Sequence, residues 1–238
     1  MLNNLAKTIG AAAVAGTIGL GAAAPALAQD GAAAAGGPVA ALSAGVRGKR
    51  AGDLLIGLGA IGVLPTNGGH VDLIGGTPHA SNSATAQLDF TYFLTGNISA
   101  NLIAATTRHS VSAQGTAIGD VNLGHVWALP PTLMLQYHPM PRSRFSPYLG
   151  LGVNYTVFYG EGGARSAPVT GVKVGNSWGM AINFGTDIEL APNWLFNFDV
   201  KKIYFLEPNV RVDTLVGRIN ASADINPWVI GAGIRYRF

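Results

Sequence analysis

Residues 228–238 alternate strictly between two kinds of side chain. Trp228, Ile230, Ala232, Ile234, Tyr236 and Phe238 share one face of an extended chain, and Gly231, Gly233, Arg235 and Arg237 share the other. A period of two is the mark of a β-strand with two different surroundings. The pattern recurs in 148–159, in 178–190 and in 194–205, where Phe196, Phe198 and Val200 oppose Asn197, Asp199 and Lys201. A soluble sandwich also alternates, but here the polar face holds glycine, asparagine and opposed charges, as suits a narrow interior. The apolar face carries aromatics near the strand ends, as at membrane interfaces. Only 11% of the residues are charged, against about 25% in an average soluble domain. Past the N-terminus no run reaches the roughly 20 apolar residues of a spanning helix. In lipid that leaves a closed barrel, whose strands satisfy one another's backbone groups.

Residues 1–28 read as a secretory signal: Lys7, a small apolar stretch, then Ala26-Leu27-Ala28 as a small-x-small cleavage site. Residues 29–51 form an alanine- and glycine-rich tail with too few large side chains for a core, expected to be a mobile periplasmic lead-in. Its basic group Arg47, Lys49 and Arg50 is expected to be a solvated flank. The chain has no cysteine, which excludes disulfides and thiolate metal sites. A net charge of +3, scattered along the chain, offers no basic face for nucleic acid.

Residues 52–238 are expected to form an all-β, eight-stranded antiparallel transmembrane β-barrel. The fainter early strands fall near 53–63, 84–94, 98–107 and 128–138. Long connections (64–83, 108–127, 160–177, 206–225) alternate with short ones (95–97, 139–146, 191–193), so both termini should be periplasmic. The terminal aromatics Tyr236 and Phe238 resemble the assembly signal of outer-membrane barrels, which makes the barrel-assembly machinery and outer-membrane lipid the expected partners.

Gly52-Asp53 with Gly59-Ala-Ile-Gly-Val-Leu-Pro65 resembles the first strand of the OmpW family. Leu102-Ile-Ala-Ala-Thr106, Leu129-Pro-Pro-Thr-Leu-Met-Leu-Gln-Tyr137, Pro147-Tyr-Leu-Gly-Leu-Gly-Val-Asn-Tyr-Thr156, Asn193-Trp-Leu-Phe-Asn197 and Asp224-Ile-Asn-Pro-Trp228 are similar to its later segments, in order. The resemblance covers 52–238 and leaves out the tail. It implies an outer-membrane barrel with a proposed role in uptake of small hydrophobic molecules, including a branch linked to alkanes.

Catalytic and metal chemistry find little support. His70, His79, His109, His125 and His138 show no tight ligand spacing; the first four fall in the long connections and are expected to be solvated loop side chains. His109, Ser110 and Asp120 hold the residue types of an acyl-transfer site, but on an expected loop with nothing to orient them. No enzyme activity, cofactor or metal is expected. Asp187 and Glu189 share a face with the inward parity of Asp199, Lys201, Arg235 and Arg237. Inside eight strands, where side chains fill the bore, these read as a mutually neutralising plug in the periplasmic half.

Phe158, Ile203 and Phe205 end ascending strands with inward parity and should form an apolar outer lumen. A hydrophobic solute entering from outside would then meet charges below, and sideways escape into the membrane is the easier course. Pro130 and Pro131 remove two adjacent ladder donors; they either interrupt the wall or merely start a strand above the membrane. Three functions compete: a conduit for small hydrophobic solutes, a structural or receptor barrel whose long loops bind partners, and a lipid-modifying enzyme.

Overall fold

The computed structural model describes residues 45–71, 75–117, 119–162, 169–206, 209–214, 217–223 and 225–238. The expected signal segment and most of the expected tail lie outside the described residues. Eight strands form the wall: β1 (Leu54–Leu64), β2 (Ser83–Phe93), β3 (Ile98–Ala105), β4 (Thr132–Tyr137), β5 (Phe145–Gly162), β6 (Ser177–Ala191), β7 (Trp194–Phe205) and β8 (Trp228–Arg237). Each pairs antiparallel with the next. The β8–β1 ladder, from Leu55↔Arg237 to Leu64↔Trp228, closes the ring. Closure leaves the wall without edges, so its backbone groups can be satisfied without water.

The alternation has a direct reading in the fold. Leu58, Leu151 and Phe184 each leave about two-thirds of their surface exposed, and the same outward face continues through Leu133, Met180 and Ile230. So much contiguous apolar surface is unsuited to water and suited to lipid. Two rings of aromatics bound it. At the end carrying the short connections, here the turn end, Trp194, Tyr236 and Phe238 meet edge to face with centroids 4.9 Å apart. Toward the opposite or loop end, Tyr155 packs on Trp178 at 4.7 Å. Inward positions must fit a narrow bore. A Cβ at Gly57 would lie 2.8 Å from the Arg235 stem, so the glycine makes room for the guanidinium.

The long connections are not plain loops. Thr107–Thr116 and Gly119–Leu129 pair as a hairpin that prolongs β3 and β4 past the loop end, and Thr77–Ala80 joins its edge. A second small sheet joins Val169–Val174, Asn209–Thr214, Gly217–Ala223 and Gly69–Val71. The strand expected at 128–138 is therefore two strands broken at Pro130 and Pro131, and the one expected at 98–107 breaks at Thr106. These extensions escaped the sequence reading because neither of their faces is uniformly apolar: Arg108, Ser110 and Ser112 alternate with Thr107, His109 and Val111.

Candidate functional site

The bore has two halves with opposite chemistry. Along β7 the inward residues from turn end to loop end are Leu195, Asn197, Asp199, Lys201, Ile203 and Phe205; along β8 the order is reversed, ending in Arg235 and Arg237. In the turn-end half the charges interlock. Arg235 donates to Asp187 and to Asp89, both at 2.8 Å. Arg237 reaches Glu189 at 3.0 Å. Higher up, Lys201 holds Asp199 at 2.7 Å, and Asn183 and the Tyr148 hydroxyl donate to the other carboxylate oxygen at 2.7 and 3.1 Å. Asn197 ties the tiers together by donating to the Tyr148 oxygen and to Asp187, each at 2.9 Å. All these groups are buried. Isolated buried ions would cost several kcal/mol each, and only this mutual pairing makes them tolerable.

The chain before β1 completes this floor. Arg47, Lys49 and Arg50 were expected to be solvated together. Arg50 is exposed, but Lys49 is only 4% exposed, and its ammonium lies 2.7 Å from Asp187. Lys49 also donates to Ser146 Oγ and reaches His138 Nδ1, both at 2.9 Å. Burial pulls its pKa from the usual lysine range down to about 8, although Asp187 opposes the shift. Arg47 bonds Asn193 at 2.9 Å and Asp53 at 3.2 Å. Sequence reasoning missed this because the tail was judged by its alanine and glycine content, which says nothing about six residues at its end.

Two histidines are buried, and one of them, His109, departs from the expected solvated loop state. His138 is fully buried between Lys49 and Ser99 Oγ, and burial with the neighbouring ammonium pushes its pKa down to about 3. Neutral imidazole accepts from Lys49 and donates to Ser99. His109, also buried, bonds the Ser81 carbonyl at 2.7 Å and Thr107 Oγ1 at 3.0 Å. Asp120 instead accepts from the Gly115 amide. Among the described residues no hydrogen bond joins His109 to Ser110 or Asp120, so the acyl-transfer arrangement is not assembled. His79 and His125 are partly buried in the loop-end strands, and the His70 side chain lies outside the described residues.

Above the floor lies an apolar cavity. Phe158, Ile203 and Phe205 all line it, with the Phe158 and Phe205 rings 6.4 Å apart. Sequence parity alone did not single out Ile61, Val63 and Val229, which face them from β1 and β8. Lys201, Thr132 and Thr156 mark the polar limit. Pro130 lines the same cavity. Next to it the β3–β4 ladder stops at Ile103↔Thr132 and resumes only at Thr107↔Ala128 in the extension. Pro130 and Pro131 thus sit in an interruption between two strands, immediately before β4 starts at Thr132. On the β5 side the wall stays joined, since Tyr155 donates to the Pro131 carbonyl at 3.1 Å and Leu129 pairs with Val157.

The model of the OmpW family matches residues 50–238. The chain belongs to the OmpW family. Among relatives, it is 42% identical over 180 residues to an outer-membrane protein of Sinorhizobium fredii, covering 75% of this chain and 76% of that one. It is 35% identical over 206 residues to outer membrane protein W of Vibrio cholerae, covering 82% and 93%. The crystal structure of the outer membrane protein OprG of Pseudomonas aeruginosa superposes with a TM-score of 0.73 at 30% identity, covering 81% of this chain and 99% of that one. The outward apolar belt of this OmpW-family barrel is therefore its surface toward the outer-membrane bilayer. The family match begins at residue 50, so Arg47, Gly48 and Lys49 precede it.

Proposed function

We propose that this OmpW-family barrel conducts small hydrophobic molecules from the cell surface into the outer membrane, with both termini and the turn end facing the periplasm. One observation carries the reading: an apolar cavity stands directly on a floor of interlocked buried charges. A hydrocarbon gains about 25 cal/mol for each Å² of its surface that leaves water for such a cavity. Continuing toward the turn end would strip the partners from paired ions, at several kcal/mol per ion. The interrupted β3–β4 ladder beside Pro130 offers the less costly exit, sideways into lipid. In this reading the chain is not an enzyme and uses no cofactor; its work is to lower the barrier for passage, with outer-membrane lipid and small hydrophobic solutes as its partners.

The test is uptake of a labelled hydrophobic compound by cells carrying Phe158→Asp or Phe205→Asp at matched levels of folded barrel. Both side chains are only partly buried near the loop end, so a carboxylate there stays hydrated and the barrel folds. A hydrated charge makes the cavity a poor host for hydrocarbon, and uptake falls. Unchanged uptake in both variants would discard the conduit and leave a receptor barrel that binds partners through its loop-end hairpins.

A further inference from the structure

We propose that the outward face of the loop-end hairpin docks the headgroup of a phosphorylated glycolipid of the outer leaflet, with Arg108 on a phosphate and Trp127 and Tyr159 under a sugar ring. The proposal rests on the reading that the loop end faces the cell surface. It asks nothing of the cavity or of the route through it.

The placement follows from strand parity. Thr107, His109, Val126 and Ala128 line the cavity, so Arg108 and Trp127, which lie between them on the same two strands, face outward. Arg108 stands directly opposite Trp127, and Trp127 stands directly opposite Tyr159 on β5. The three side chains form one row across three strands. That row continues the bilayer-facing surface, since the outward positions of β5 run from Leu151 and Val153 through Tyr155 and Val157 to Tyr159. Tyr159 lies four residues past the Tyr155–Trp178 girdle, about 13 Å along the strand. At the usual tilt of barrel strands this is roughly 10 Å of height, so the row clears the acyl chains and stands at the level of headgroups.

The chemistry of the row fits such a headgroup. Trp127 and Tyr159 lie nearly parallel, 21° apart with ring centroids at 6.4 Å, and a 2.6 Å hydrogen bond with Thr106 Oγ1 fixes the Tyr159 hydroxyl. Gly160 keeps the β5 backbone close against the indole: its φ is +62°, and a Cβ there would lie 2.9 Å from Trp127 Cδ1. The negative faces of such rings attract the C–H edges of a sugar. Arg108 is exposed and, among the described residues, has no hydrogen-bond or ion-pair partner. Its guanidinium can hold a phosphate through two parallel N–H bonds. Ser110 and His125, paired in the next row, add polar side chains to the same face. The two carboxylates of these strands do not compete for Arg108, because Asp120 accepts from the Gly115 amide and Glu161 from the Val174 amide. A headgroup with both sugar rings and phosphate matches the whole row, whereas a phospholipid matches Arg108 alone.

The experiment counts bound lipid by native mass spectrometry on the purified, folded barrel, taken from detergent holding equal mole fractions of diphosphoryl lipid A and phosphatidylglycerol. The unaltered chain should retain lipid A about tenfold better than phosphatidylglycerol. Arg108→Gln removes one charge-assisted contact and should cut lipid A retention at least about fivefold. Its side chain is exposed, so the variant folds, which heat-modifiable migration checks. Trp127→Leu should erase most of the preference for lipid A over phosphatidylglycerol. Arg50→Gln, which removes an exposed arginine at the turn end, should change nothing. Normal retention by Arg108→Gln would overturn the site, as would an equal loss in Arg50→Gln. So would an unaltered chain that does not distinguish the two lipids, or a Trp127→Leu barrel that still does. Retention by purified barrel depends neither on its orientation in the cell nor on uptake, so epitope tags and Phe158→Asp test the earlier reading separately.

Discussion

At the scale of single residues, the account turns on pairs that are stable only together. Arg235 bridges Asp89 and Asp187. Replacing it with Met leaves Asp89 with only the Asn101 amide and Thr91 hydroxyl, at 2.9 and 3.1 Å. Removing one member of a buried pair costs about 3–5 kcal/mol. Arg235→Met should therefore lower the urea midpoint of unfolding in detergent clearly below that of the unaltered barrel, and an unchanged midpoint would show that the pairs carry little of the stability. The inward acids and bases were legible in the sequence because period-two parity assigns each a face. Lys49 and His138 were not. Lys49 follows a low-complexity run with no periodicity; His138 continues the inward parity of Thr132, Met134 and Gln136, but in a strand of only six residues, too short for the alternation to stand out. Their partners lie 138 and 89 residues away in sequence respectively, as Asp187 to Lys49 and Lys49 to His138 show.

At the scale of elements, β6, β7 and β8 were readable to within two residues of their ends, because a lipid-facing strand must be apolar on every second residue. The hairpin of Thr107–Thr116 and Gly119–Leu129 was not, since beyond the lipid neither face is under that demand. The same contrast explains the prolines. Their place in a strand was visible, but that an extension continues past them was not. The last strand carries a further expectation. Phe238 is about two-thirds exposed and touches little besides Tyr236, with its amide bonded to the Leu54 carbonyl. Its deletion removes few contacts, yet if it serves as an assembly signal it should sharply reduce the yield of heat-modifiable barrel in membranes. Refolding of the purified truncated chain in detergent should be nearly normal. Equal membrane yield would show that the terminal aromatic is only part of the girdle.

At the scale of the whole molecule, the proposed route joins a charged floor, an apolar cavity and an interrupted wall, and the orientation of the barrel would fix its direction. Epitope tags inserted in 66–82 or 160–173 should be detected on intact cells; detection only after the outer membrane is ruptured would reverse the barrel. The route itself is tested most directly by altering the wall and the floor separately and measuring uptake of a labelled hydrophobic compound at matched barrel levels. Pro130→Val with Pro131→Val restores two backbone donors beside Ala104–Thr106 and should let the β3–β4 ladder run on through the interruption. The account predicts that this closed wall lowers uptake severalfold, while thinning the floor with Lys49→Gln and Arg47→Gln leaves hydrophobic uptake nearly unchanged. Uptake that ignores the closed wall and rises with the thinned floor would contradict it, placing the path straight through the barrel.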